Sequence, residues 1–558
     1  MKAFVSPVFA ALLVAAVPAP TYQIDLARYF PGAPTELGGR QAALAAARAF
    51  AASPTPALAP ALLVWLQRYD ALLMNLERHD IYVYLKSEEN DRDVADAKAD
   101  DALGNAEDLI SARVVEAAGQ LGAARIAALT RGPELAPYRY LLANSLAQYA
   151  HRLNSVEAKS VAAAVTPVLD AAAAGYKALR KSNASIASNQ TAYAALLVSI
   201  ASARNGVARL RGFPTAAQAA YFDRSVEPEA VERTLRAVRE SDAYSRYLAV
   251  AAKAPKQQFA PPPLSISDAL ARILAAEGGV SPEYAGAYAQ LFDPAQKRLE
   301  ICTNPECDDT GFSVGFAGAQ SGVYYGGYDG AVNAVRAIAH ESGHAVHRAF
   351  MSRYQPIAAY NRGPAFMFES FAIFNELLFL DSLYRSAATP EARAYYLNFF
   401  LQDATFDVFG SAQETDLESS IYRGVDDRTL ATAADFNALA KSVFARYNPA
   451  AASDPATELY WARDRLFYTD PLYDVNYLYA GLLAERYFAD FDRDRRTFAP
   501  RYLALLKNGF NESPATVERR FLGIDLSDER GLVENAAALI DARALVLERL
   551  YSNATPAR

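Results

Sequence analysis

Three of the five histidines in this chain fall within eight residues, and two of them frame a carboxylate in His340-Glu341-Ser342-Gly343-His344. On an α-helix, residues four apart project about 40° apart, so His340 and His344 reach one ion at the roughly 2.0–2.1 Å of a zinc–imidazole bond. Glu341 projects about 100° from His340. That places it beside the ion and not on it, where a general base for an activated water belongs. A catalytic zinc takes three protein ligands and keeps its fourth position open. Downstream, Glu369 sits in Phe366-Met367-Phe368-Glu369-Ser370-Phe371, an apolar run of helical spacing. A carboxylate in such company is costly unless paired or metal-bound, which makes Glu369 the third ligand. Glu376, seven residues on, lies nearly in line with it and is placed to orient a ligand imidazole. His347 follows His344 by three and either extends this hydrogen-bond network or packs. His79 and His151 have no such company and read as structural.

The motif lies in a helical run from about Ala331 to Met351. Ahead of it, Arg298 to Gly330 is rich in Gly, Tyr, Val and Phe and reads as a small antiparallel sheet with tight turns. An extended peptide would add as a strand near Val323 to Tyr328, with Tyr324, Gly326 and Gly327 as the binding residues. From about Asp25 to Lys253 the chain is Ala-, Leu-, Arg- and Glu-rich with apolar residues at three and four spacing, the pattern of packed amphipathic helices. A proline-rich break from Ala254 to Pro263 ends this run. The expected organisation is an amino-terminal helical lobe over 21–255 and a catalytic lobe over 264–558, in a mostly α protein.

These residues resemble the thimet oligopeptidase and oligopeptidase F group of zinc metallopeptidases. The likeness is carried by Ala339-His-Glu-Ser-Gly-His-Ala-Val-His347, by Ser352-Arg353 and Gln355-Pro356, and by Phe368-Glu369-Ser with Phe374-Asn-Glu376; Glu369 stands 25 residues after His344. Leu291-Phe-Asp-Pro294 and the tyrosine-rich Tyr473 to Gly481 are similar as well, so the resemblance covers about half the chain. It implies a two-lobed helical body with a deep central channel that admits short unstructured peptides, and one zinc ion per chain. It also implies that Tyr477, and after it Tyr473, donate to the oxyanion formed on the peptide carbonyl. The family usually carries a histidine at the head of that loop, whereas this sequence has none after His347; Arg465, Phe467 or Tyr468 occupies the neighbourhood.

The expected reaction is therefore internal hydrolysis of short peptides by metal-activated water. Its alternatives are a peptidyl-dipeptidase-type trimming enzyme and a catalytically weak peptide-binding relative. A zinc site that merely braces the fold would close all four positions with protein ligands, mostly cysteine, and the chain has only Cys302 and Cys307. That close pair, around an Asn-Pro turn, is a disulfide candidate in an oxidising compartment. Lys2, an apolar run to about Val17 and Pro18-Ala19-Pro20 read as a secretory signal over 1–20, too short to span a bilayer. A periplasmic or secreted protein without stable membrane insertion is expected. With 55 basic and 63 acidic residues, the surface offers nothing to nucleic acid.

Overall fold

A computed structural model describes residues 22–89, 94–182, 185–255, 259–303, 307 and 310–554. The expected signal segment, 1–20, lies outside the described residues. No described helix is long and apolar enough to cross a membrane. Helices make up most of the chain, as the alanine-rich texture demands, and several begin with proline in their first turn, as at Pro228, Pro282, Pro390 and Pro514. Proline fits there because its missing N–H has no partner to lose.

Five helices matter for the site: α1 (Ala59–Glu89), α2 (Val332–Tyr354), α3 (Ala365–Ser386), α4 (Ser411–Asp426) and α5 (Asp474–Asn508). Between α1 and α2 runs the one sheet among the described residues, three-stranded, of β1 (Leu299–Ile301), β2 (Gly311–Phe316) and β3 (Ala319–Tyr325), in the order β1-β3-β2. β2 and β3 form the expected antiparallel hairpin, with Phe312 opposite Tyr324. β1 runs parallel to β3, with Leu299 opposite Val323, so the sheet is mixed and not wholly antiparallel. The connection from Cys302 to Thr310 is long enough for β3 to insert between its two predecessors. Cys302 and Cys307 are bridged within that connection.

Packing divides the chain elsewhere than at the proline-rich break. One core gathers Phe50, Leu66, Leu73, Leu103, Ile110 and Leu142 from the helices up to Ala150, and takes in Val314 and Phe316 of β2. The other begins with Ala172 and Tyr176 and continues through the catalytic helices to Tyr551. Helices between Val156 and Ala251, assigned to the first lobe by sequence, thus share the second core. Hydrogen bonds stitch them in, among them Asn205 donating to the Tyr422 carbonyl at 2.9 Å and Tyr176 to the Arg463 carbonyl at 2.9 Å. Proline marks where local backbone order stops, and says nothing about which core a helix joins.

α3 is apolar around nearly its whole circumference, with Phe366, Phe371, Phe374, Leu377 and Phe379 buried. Such a helix belongs at the centre of its domain, and it packs between α2 and α5.

Candidate metal centre

α2 starts at a turn that only glycine permits. Gly330 has φ +77°, and a Cβ there would sit 2.7 Å from the Leu264 carbonyl oxygen. One turn past His340, Gly343 faces α3: a Cβ would meet Asn375 Nδ2 at 2.4 Å and Ala372 Cα at 3.1 Å. Its bare backbone lets the two helices approach closely enough for Glu369 to reach the histidines. Asn375 is locked at this crossing, accepting from the Tyr284 hydroxyl at 2.9 Å and donating to the Phe371 carbonyl at 2.6 Å.

The three expected ligands converge. His340 Nε2 and His344 Nε2 are 3.1 Å apart, and Glu369 Oε2 lies 3.3 Å from the first and 3.5 Å from the second. Four ligands set tetrahedrally about an ion with arms of roughly 2.0–2.1 Å are spaced about 3.3 Å apart, so the donor set fits a divalent metal of that size. Glu369 Oε2 is buried with no hydrogen-bond partner among the described residues. Burial would raise the Glu369 carboxyl, yet the two imidazoles hold it well below the usual carboxylate range.

His340 is anchored from behind. Its Nδ1 pairs with Glu376, as expected, which leaves Nε2 free for a metal. Arg336, four residues earlier on the same helix face, pairs with Glu376 and also with Asp403 at 3.1 Å. Sequence reasoning missed both. The spacing from His340 could have flagged Arg336; Asp403 comes from a separate helix and leaves no linear signal.

Glu341 forms no ion pair among the described residues. Its side chain lies against β2, where a Cβ added to Gly311 would touch Glu341 Cγ at 3.5 Å. The two tyrosines divide their labour. Tyr473 donates to Glu369 Oε1 at 2.8 Å, so it orients a ligand carboxylate instead of facing the open position. Tyr477, one turn along α5 with its ring 5.4 Å from that of Tyr473, has no hydrogen bond among the described residues. Burial raises both phenols, and the charge on Glu369 raises them further, so each stays a neutral donor.

Other expectations need correction. His347 does not join the ligand network. It is buried among Phe368, Phe371 and Phe510, and its Nδ1 has no partner among the described residues. Three residues along a helix turn a side chain about 60° from its predecessor, enough to point it into this aromatic packing. β3 has no free edge for a substrate strand, because β1 and β2 pair with its two sides. Tyr324 is buried and stacked on Phe312 at 5.1 Å. Gly326 donates to the Thr310 carbonyl at 2.8 Å, and Gly327, with φ +68°, serves the turn. The edge strands of the sheet are β1 and β2, and β2 is the one beside Glu341. At the loop head, Phe467 and Tyr468 are buried, with Tyr468 stacked on Tyr176 at 4.3 Å, so neither replaces the missing histidine. His79 pairs with Glu36 at 3.0 Å and His151 stacks on Phe213 at 4.2 Å, both structural as read.

Residues 330–536 match the profile of peptidase family M3, a span holding every residue of this centre from Arg336 to Tyr477. Over that span, 207 of its 558 residues, the chain is similar to peptidase family M3. Among curated proteins similar to it, the plasmid-borne oligoendopeptidase F of Lactococcus lactis subsp. cremoris is 27% identical over 248 residues, 42% of this chain and 40% of that protein. Group B oligopeptidase PepB of Streptococcus agalactiae is 25% identical over 250 residues, with the same coverage. The matched region thus spans less than half the length of these relatives. Similarity of fold extends much further. A Chlamydophila abortus protein of known structure superposes with TM-score 0.76 at 18% identity, covering 95% of this chain and 98% of that one. Oligoendopeptidase F of Enterococcus faecium superposes with TM-score 0.62 at 17% identity, covering 95% and 100%.

Proposed function

We propose that this protein is a zinc-dependent endopeptidase that cuts short, unstructured peptides internally. The observation that carries this reading is the convergence of His340 Nε2, His344 Nε2 and Glu369 Oε2 within 3.5 Å of one another, with Glu341 beside them. Two imidazoles and one carboxylate are a donor set that suits zinc. Bound there, zinc would polarise the scissile carbonyl and bring the pKa of water towards neutrality.

The chain's own residues then have distinct tasks. Glu341 takes the proton of the attacking water and passes it to the departing amine. Tyr477 donates a hydrogen bond to the oxyanion as it develops. Glu376 holds the Nδ1 proton of His340, and Tyr473 fixes the rotation of Glu369. The peptide lies as an added strand along the open edge of β2, from Gly311 to Phe316, which passes Glu341. The amino-terminal segment directs export, so the substrates are peptides outside the cytoplasm.

The test is cleavage of quenched fluorescent peptides of graded length, with and without a chelator, beside Glu341→Gln. Internal cuts confined to short peptides, lost on chelation, and lowered at least about 10²-fold by the substitution while zinc stays bound, are expected. One zinc per chain with no cleavage of any peptide would instead mark a peptide-binding relative.

A second reading, removal of dipeptides from a carboxyl end, is favoured by one observation. Arg348, on the histidine face of α2, lies at the end of β2, donating to the Gly315 carbonyl at 3.3 Å, and its Nε has no partner among the described residues. Such a guanidinium can hold a terminal carboxylate. Substrates with free and amidated ends separate the readings: an endopeptidase cuts both, a trimming enzyme only the first.

A further inference from the structure

A second cluster of ligand-type side chains lies away from the histidines. Glu414 of α4, Asp464 and Asp474, the first residue of α5, each offer a carboxylate oxygen, and these oxygens all lie within 4.8 Å of one another. Glu414 and Asp474 are buried, and Asp464 is partly so. Among the described residues no Lys, Arg or His forms an ion pair with any of the three. Their neighbour Asp416 shows the contrast, paired with Arg239 at 2.8 Å and Arg446 at 3.4 Å. Asp474 is only 1% exposed, and its Oδ2 has no hydrogen-bond partner among the described residues. Buried carboxylates are normally paired or bound to metal, and here three of them lie together with no ion pair among the described residues, the charge of Arg465 acting on Asp464 from farther off.

We propose that Glu414, Asp464 and Asp474 bind a calcium ion that fastens the segment carrying Tyr473. Only oxygen donors are present, which selects a hard cation over zinc. Calcium–oxygen distances of about 2.3–2.6 Å put ligands on opposite sides of the ion about 4.6–5.2 Å apart, a range that accommodates the cluster. Two of the carboxylates are already oriented: Glu414 accepts from the Tyr460 hydroxyl, and Asp464 Oδ1 accepts from the Leu466 amide at 2.9 Å.

The consequence for the zinc centre follows from chain order. Asp464 and Asp474 bracket the connection into α5, and Tyr473, which orients Glu369, immediately precedes Asp474. Leu472 adopts φ +64°, costly for a branched residue, and its amide is held by Glu418 at 2.8 Å. An ion joining α4 to both ends of this connection would hold the strained turn in place. Burial pushes the Glu414 carboxyl up to about 8 and that of Asp464 up to about 6. Calcium would therefore displace protons and bind more tightly as pH rises.

This proposal is independent of the peptidase reading, because calcium and zinc are counted separately. Zinc-loaded full-length protein, freed of calcium with a calcium-selective chelator and dialysed against millimolar calcium, is analysed for both metals and followed by hydrogen exchange. The expected result is one calcium per chain beside the zinc, with slower exchange over residues 464–478 and a higher Tm. Asp464→Asn loses the calcium and both responses while retaining zinc. Glu414→Gln, which can still accept from Tyr460, does the same and serves if the first variant does not fold. The proposal is overturned if the wild type takes up no calcium at millimolar concentration, or if both variants bind as much as it does.

Discussion

Replacing Glu376 by Gln tests how firmly the buried pair behind His340 sets the metal affinity. Glu376 is 3% exposed and accepts the His340 Nδ1 proton. Glutamine retains a carbonyl oxygen for that proton, so the ring keeps its tautomer while the charge disappears. The loss stays local, because Arg336 keeps Asp403 at 3.1 Å and is not left unpaired. Burial and then the charge of Glu376 hold the Asp403 carboxyl well above its ordinary value; without that charge it ionises more readily and keeps the guanidinium. What remains is the difference between a charge-assisted and a neutral hydrogen bond, about 1–2 kcal/mol. Zinc affinity should fall about 5–30-fold, overlapping the roughly 10–100-fold range usual for partners of ligand histidines. Competition with a chromophoric chelator reads this directly, with the Tm of the metal-free variant as the control for folding. Affinity within about twofold of the wild type would refute the reasoning, as would an equal loss of metal-free stability.

The two tyrosines should separate kinetically. Tyr473→Phe removes a 2.8 Å hydrogen bond to Glu369 and should weaken zinc binding by about 5–10-fold, read by the same competition assay. Tyr477→Phe should leave zinc binding and KM near wild type while kcat falls about 10²–10³-fold, measured by steady-state peptide cleavage. Gly343→Ala forces a Cβ against Asn375 and Ala372 and should cost about 1–3 kcal/mol, seen as a lower Tm. Glu518, buried and accepting from Tyr487 at 2.5 Å, is pushed by burial from its ordinary value near 4.5 up to about 8. The folded state then holds a proton the unfolded chain releases, so stability present below pH 4.5 is lost as pH rises towards 8, by at most about 5 kcal/mol. Glu518→Gln should flatten that part of the profile, measured by denaturant unfolding at pH 5 and pH 8.

What the sequence made legible is what helical periodicity carries. His340, Glu341 and His344 needed only the 3.6-residue turn, and Glu376 followed from its seven-residue spacing to Glu369. Features that depend on meetings between distant segments were hidden. Strand order cannot be read from strand composition, so the sequence presents β3 as an edge although β1 and β2 enclose it. Tyr477 and, after it, Tyr473 both read as oxyanion donors, yet Tyr473, just ahead of α5, has Glu369 as its partner. The helices from Val156 to Ala251 carry the same alanine-rich pattern as those before them, and only packing reveals which core they enter. The carboxylates of Glu414, Asp464 and Asp474 come from three separate segments and have no linear signature.

One geometric relation ties the metal centre to the fold that holds it. Glu369 and Glu376 are seven residues apart, about 10.5 Å along α3, and between them they address both nitrogens of His340, Glu369 from the Nε2 side and Glu376 at Nδ1. A single imidazole is therefore gripped twice by one helix. Its orientation depends on the separation of α2 and α3, and Gly343 sets that separation by leaving Asn375 and Ala372 room to approach. Tyr473, the cap of α5, then ties a third element to the same carboxylate. The ligand geometry is thus specified by packing of buried helices, which interiors resist deforming, and not by the motif alone; a short histidine motif placed on a solvent-exposed helix would possess the ligands without the means to hold them.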